Sequence, residues 1–331
     1  MRAMMQILLV KTSSMGDVIH NLPVVADILA HHENAKIDWM VEESFAEIPK
    51  LHPNVRNVIP VAVRRWRKSP LSSSTWREIN ALKHQLGSIQ YDAIIDTQGL
   101  LKSALLTKLA QGQSHGMDFH SAREPLASLF YHHRHRVEVN QHAVIRNRQL
   151  PALALHYPVP ATAPDYGLSA IENPIPGEVL DKTSTAYVVC LHGTSSDAKL
   201  WPTEQWIALA HKLAKINLTM LLPWSNPAEQ ARATMIATQA SNATVLPKLK
   251  LTDLAGILAG ATANIGVDTG LIHLSTALNK PTVAIYTDTK PNLTGVFPSI
   301  NDLAVNIGNK GQLPSADSVF EHVLTLIKQV K

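Results

Sequence analysis

Residues 5–32 read MQILLV (5–10), KTSSMGDVIHNLP (11–23) and VVADILAHH (24–32): an apolar run, a polar turn and a helix-like run in that order. The apolar run is far shorter than the ~20 residues that cross a bilayer, and no signal-peptide cleavage pattern follows it. It reads as the buried first strand of an α/β fold. The turn gathers Lys11, Thr12, Ser13, Ser14, Gly16 and Asp17 at a strand-to-helix junction, yet it matches neither G-x-x-x-x-G-K-[ST] nor G-x-G-x-x-G. Two readings of Asp17 stand. It caps its own helix and favours the positive helix end, or it is a carboxylate at the carboxyl end of a strand that accepts a proton from an alcohol. His20, one turn on, either tunes that carboxylate or faces solvent.

The strand–turn–helix rhythm continues through the first half. KIDWMV, VRNVIPV and YDAIIDTQG read as further buried strands, with helices at 18–31, 75–87, 100–110 and 142–155. Such alternation predicts a parallel sheet covered by helices on both faces. From Tyr157 to Thr185 prolines dominate, at Pro158, Pro160, Pro164, Pro174 and Pro176. Proline interrupts both helix and sheet hydrogen bonding, so this stretch predicts a linker. The alternation then resumes. AYVVCLH, LTMLLP, ATVLP, TANIGVD and PTVAIYT read as strands, with helices at 203–215, 227–240, 251–259, 270–278 and 316–329. A chain of 331 residues, 45% hydrophobic, has the length for two domains and the apolar content for two cores. Two doubly wound domains predict a site in the cleft between them, outside the carboxyl ends of the strands.

The single cysteine, Cys190, rules out an internal disulfide framework and suits a reducing cytoplasm. The net charge of +4 is uneven: residues 1–157 hold 18 Lys and Arg against 13 Asp and Glu, residues 158–331 hold 12 against 13, and twelve of sixteen histidines lie in the first half. That half should favour an anionic partner or surface.

Five further stretches carry candidate chemistry. In LHGTSSDAKLWP, Thr194, Ser195 and Lys199 offer the hydroxyls and the ammonium that a diphosphate needs. In NIGVDTGLIHLSTAL a strand ends at Asp268, and Thr269 and Gly270 open a helix whose free N–H groups form an anion site, with His273 on its first turn. In LPWSNPAEQAR, Glu229 can hold a ribose diol or simply favour its helix start. In RRWRKSP, Arg64, Arg65, Arg67 and Lys68 surround Trp66, a loop fit for phosphates, carboxylates or an anionic surface. Arg123, in GMDFHSAREPLASLFY, is an isolated candidate for the same anion. His132, His133 and His135 cluster without the partners of a known metal motif, and no D-x-D is present to hold a metal against a diphosphate.

ILLVKTSSMGDVIHNLP, RRWRK, DTQGLLKSALL, GMDFHSAREPLASLFY, LHGTSSDAKLWP, LPWSNPAE and VDTGLIHLSTAL occur in this order over residues 5–298, and together they resemble the lipopolysaccharide heptosyltransferase family. The resemblance implies a GT-B glycosyltransferase of two Rossmann-like domains facing a central cleft. Residues 1–157 would bind the acceptor, 158–184 would be a Pro-rich linker, and 185–331 would bind ADP-heptose, with a carboxyl-terminal helix able to pack back on the first domain. It implies inverting, metal- and cofactor-independent transfer of L-glycero-D-manno-heptose from ADP-heptose. RRWRK and GMDFHSAREPLASLFY point to the members that act on the first Kdo of Kdo-lipid A, on the cytoplasmic face of the inner membrane. By resemblance Asp17 is the general base. Thr194, Ser195 and Lys199 bind the diphosphate, Glu229 the ribose, and Asp268, Thr269, Gly270 and His273 the diphosphate and heptose. Arg64, Arg65, Arg67, Lys68 and Arg123 would meet the anionic acceptor. Two places depart from the family pattern: Thr287-Asp288-Thr289 replaces a Gly-Pro-Thr turn, and Leu249 stands where a methionine near the adenine is usual. Rival readings are a member that adds the second heptose, and a non-catalytic nucleotide-binding protein. No nucleic-acid partner is expected.

Overall fold

The strand predicted at the start of the chain forms β1, Gln6–Val10, in which Ile7, Leu8, Leu9 and Val10 are all buried. A strand apolar on both faces belongs in the middle of a parallel sheet with helices on either side. In the computed structural model β1 pairs in parallel with β2 (Lys36–Glu42) and β4 (Gln90–Asp96). The structure describes residues 4–168, 186–194 and 196–330. It divides into two units, Met1–Gly167 and Leu168–Lys331.

The first unit's sheet is completed by β3 (Val55–Val61), β5 (Gln111–Met117) and β6 (His133–His135), in the order β3-β2-β1-β4-β5-β6. The second unit repeats the plan with β7 (Tyr187–Leu191), β8 (Thr219–Leu222), β9 (Ala243–Val245), β10 (Ala263–Val267), β11 (Thr282–Tyr286) and β12 (Ala304–Gly308), ordered β12-β11-β10-β7-β8-β9. All named pairings are parallel. Counted from its own first strand, each sheet runs 3-2-1-4-5-6, the doubly wound order whose direction reverses between strands one and four. Those switch points lie between β1 and β4 and between β7 and β10, and Asp17, Thr194, Lys199, Asp268 and Thr269 lie in the segments that follow β1, β7 and β10.

The helix expected over 18–31 is broken in two, Met15–Ile19 and Pro23–His31, with Pro23 at the start of the second piece. Proline has no N–H to donate inside a helix, and the first turn is where that lack costs least. The basic stretch expected as a loop is instead the helix Val63–Lys68. The carboxyl-terminal helix Ala316–Val330 lays Val319, Val323 and Leu326 into the second unit's core, beside Trp206 and Leu209 of the helix Thr203–Ala214. Residues 158–168 hold no helix or strand, and Tyr166 and Leu168 are buried. The remaining proline-rich stretch, 169–184, lies outside the described residues.

Candidate active site

In the first unit, Asp17 sits on the first turn of its helix and is partly buried. Its Oδ2 accepts from the Ser14 amide at 2.8 Å and the Ser14 hydroxyl at 2.9 Å. The capping reading is therefore realised. It engages one carboxylate oxygen, and Oδ1 takes no hydrogen bond among the described residues, so capping and proton acceptance are compatible. The turn is held from below by a buried polar network. Gln98 Oε1 accepts from the amides of Thr12 and Ser13 at 3.0 and 3.1 Å. The Gln98 amide donates to Asp96 Oδ1 at 2.8 Å, and Tyr131 Oη donates to Asp96 Oδ2 at 2.7 Å. Lys11 is buried and donates to the Thr97 carbonyl at 2.9 Å and to Asn147 Oδ1 at 3.2 Å. Burial lowers the Lys11 pKa, and the charges of Asp17 and then Asp96 oppose that shift. A buried lysine thus stands behind the Asp17 turn. His20 is buried rather than solvent-facing.

The basic cluster divides by partner. Arg65 is tied up by Glu78 at 2.8 Å and Glu43 at 3.1 Å, which raises its pKa. Arg64 lies over the Phe45 ring at 5.0 Å, while Arg67 and Lys68 are exposed. Lys102, on the helix Leu101–Thr107, joins them: its Nζ donates to Ser13 Oγ at 2.7 Å. Burial chiefly lowers its pKa; the charge of Glu42 opposes that shift, and those of Arg64 and Arg67 add to it. Arg123 is exposed on the turn packed against Gly99 and is close enough for its charge to act on Lys11. Lys102 escapes sequence reading because one lysine on an apolar helix looks like a solvated face. Its signal was its place in DTQGLLKSALL.

In the second unit, Lys199 Nζ donates to Asp268 Oδ2 at 2.7 Å. Thr289 Oγ1 donates to the same oxygen at 2.8 Å, and Thr194 Oγ1 to the Asp268 carbonyl at 3.0 Å. The turns after β7, β10 and β11 are thereby bound to one carboxylate at the switch point. Thr289 is the position at which Thr-Asp-Thr keeps the Gly-Pro-Thr pattern, and at the departing position Thr287 Oγ1 donates to the Ala198 carbonyl at 2.9 Å beside Lys199. Thr269 is the N-cap of the helix Gly270–Ala277 and makes no side-chain cap bond, which leaves that helix start available to an anion. His273 is buried on the first turn. Glu229 Oε2 accepts from the Ser225 amide and hydroxyl at 2.7 and 2.8 Å. A Cβ at Gly193 would lie 2.6 Å from Glu229 Cδ, so the two turns touch only because residue 193 has no side chain. Leu249 is partly exposed on the loop after β9, and Ser195 lies outside the described residues.

His115, His133 and His135 stack at the β5–β6 edge, with centroids 4.7 and 5.4 Å apart. Among the described residues no three His, Cys, Asp or Glu are placed to hold a metal ion.

The sequence pattern of glycosyltransferase family 9 (heptosyltransferase) matches residues 79–323. The chain belongs to glycosyltransferase family 9. Lipopolysaccharide heptosyltransferase 1 of Escherichia coli strain K12 is 46% identical over 296 residues, 88% of this chain and 91% of that protein. The Pseudomonas aeruginosa PAO1 protein of the same name is 46% identical over 88% of this chain and 81% of its own length. The solved structure of E. coli heptosyltransferase WaaC with ADP superposes with a TM-score of 0.90 at 42% identity, covering 97% of this chain and all of that one. WaaC with ADP-2-deoxy-2-fluoro heptose gives 0.85 at 41%, over 99% and 100%. Like other members of family 9, the chain is a glycosyltransferase with two doubly wound units.

Proposed function

We propose that this enzyme transfers heptose from ADP-heptose to the first Kdo of Kdo-lipid A, the first heptose of the lipopolysaccharide inner core. The observation that carries this reading is 46% identity to lipopolysaccharide heptosyltransferase 1 over 88% of the chain. The second unit takes the donor. Lys199 and the helix start at Gly270 meet the diphosphate, Thr194 and Ser195 add hydroxyls, and Glu229 takes the ribose. Asp268 orients Lys199 through their ion pair, and His273 lies against the sugar. The first unit takes the acceptor. Arg64, Arg67, Lys68, Lys102 and Arg123 meet its carboxylates and phosphates, while Arg65, held by Glu43 and Glu78, fixes the helix that presents the first three.

Asp17 removes the proton from the acceptor hydroxyl as that oxygen attacks the anomeric carbon from the face opposite ADP. The bond from that carbon to the diphosphate oxygen breaks, the centre inverts, and ADP leaves with the electron pair. Lys199 and the helix start stabilise the new charge, a preorganised electrostatic contribution. No metal is needed in this scheme, so turnover should survive EDTA. On this reading the lipid-linked acceptor brings the enzyme to the cytoplasmic face of the inner membrane as a peripheral protein; no helix among the described residues is long and apolar enough to cross a membrane.

The test offers ADP-heptose with Kdo-lipid A or with Kdo-lipid A that already carries one heptose, and follows product mass. Gain of one heptose by Kdo-lipid A supports the reading. Exclusive use of the heptosylated acceptor assigns the enzyme to the second step instead.

A further inference from the structure

The helices Val63–Lys68, Ser73–Gly87 and Leu101–Thr107 of the first unit enclose a groove of about 630 Å³. Its wall is built from Trp66, Trp76, Ile79, Leu101, Leu105 and Leu109. Trp76 is 56% exposed and Leu105 52%, so large apolar side chains stand open to solvent. A concave apolar surface of this kind marks an interaction site rather than ordinary surface. Three charged residues also line it: Arg67, Lys102 and Glu124. Glu124 is engaged, accepting from the Leu101 amide at 2.6 Å, and so caps a helix. Among the described residues Arg67 and Lys102 have no carboxylate partner within ion-pair distance, and Lys102 Nζ lies 2.7 Å from Ser13 Oγ, on the turn that presents Asp17. The groove therefore joins an apolar wall to two basic side chains, and one of them, Lys102, to the turn of the candidate base.

We propose that this groove receives a fatty acyl chain of the acceptor glycolipid. An occupant that satisfies the wall and the rim together has a hydrocarbon tail and an anionic head, with the head directed to Lys102 and Ser13. The inference rests on the reading above that the acceptor is lipid-linked. It adds that the enzyme grips part of the lipid tail and does not recognise the sugar alone.

The experiment measures KM for Kdo-lipid A, for its fully deacylated form and for ADP-heptose, in the intact enzyme and in Leu105→Glu and Trp76→Ala. Both positions are half-exposed, and turnover on the deacylated acceptor reports that each variant is folded. The expected result is a KM for the acylated acceptor about 10-fold higher in Leu105→Glu, the loss of burying roughly two methylenes. Trp76→Ala shifts in the same direction, and the other two KM values stay within about twofold. Equal change for both acceptors, or no change for either, overturns the groove. So does a Leu105→Glu variant whose only change is in its mass in solution, which would assign the groove to a second copy of the chain. A wild-type enzyme that uses both acceptors with equal KM overturns the groove alone. One that uses neither overturns the functional reading and the groove with it.

Discussion

Lys199 Nζ lies 2.7 Å from Asp268 Oδ2, and this contact joins the turn after β7 to the turn after β10 at the second sheet's switch point. Both side chains are mostly buried, which screens the pair less than a surface bridge. In the proposed donor site an incoming diphosphate would meet an ammonium already held in place. Lys199→Ala should lower kcat/KM by about 2–3 kcal/mol, the scale of a lost hydrogen bond to a charged group. Thr289→Val, which removes the 2.8 Å bond to the same carboxylate, should cost less. It should add almost nothing in the Lys199→Ala background if Thr289 acts through Asp268 and Lys199. Full additivity in steady-state kinetics would separate Thr289 from that unit.

Gly193 and Glu229 are coupled by lack of space. Gly193→Ala sets a Cβ 2.6 Å from Glu229 Cδ and must displace that carboxylate. We expect the KM for ADP-heptose to rise about 10-fold, equivalent to one good hydrogen bond, with the acceptor KM unchanged. An unchanged donor KM would remove Glu229 from the ribose site.

Arg148 is buried and grips Asp27 with Nε and Nη2 at 2.7 and 2.9 Å, tying the helix Ala143–Leu155 to the helix Pro23–His31. Its Nη1 donates to the Thr162 carbonyl at 2.7 Å. Arg148→Leu leaves Asp27 charged and unpaired in the core, and should destabilise by about 3–5 kcal/mol. Denaturant unfolding of the first unit's transition measures it.

Stability should fall in acid through three buried histidines. Burial pushes His52, His115 and His192 each down to about 4. A histidine whose folded pKa is depressed binds fewer protons when folded, so stability falls as pH drops from about 6.5 toward 4 and rises with pH in that window. Melting temperature should decline across it, and His52→Leu should flatten the decline. A curve flat from pH 7 to 4 in the native protein would show that these rings protonate without penalty.

The fold was legible because β1, β2, β4, β7, β10 and β11 are near-continuous apolar runs, the mark of strands buried on both faces. Strand β5, QGQSHGM, and edge strand β12, AVNIG, carry no such run and went unread; they exist through pairing with β4 and β11. The RRWRK stretch looked like a loop because its charges hide an apolar side that Val63 and Trp66 turn onto the core. Asp17, Lys199, Glu229 and Asp268 could be picked out because each lies in the turn or helix start that follows a strand. Lys102 and Thr289 could not, since their roles come from contacts with residues 89 and 21 positions away.

In the proposed mechanism Asp17 is the base for heptose transfer to a lipid-linked Kdo acceptor. The most direct measurement is the rate of heptose gain by Kdo-lipid A, followed by mass spectrometry, in the native enzyme and in Asp17→Asn. Asparagine keeps the capping oxygen toward Ser14 but cannot take a proton. Base catalysis by Asp17 predicts a single added heptose in the native reaction and a rate lower by about 100-fold or more in Asp17→Asn, the usual scale of base catalysis. Near-native turnover in Asp17→Asn would contradict it.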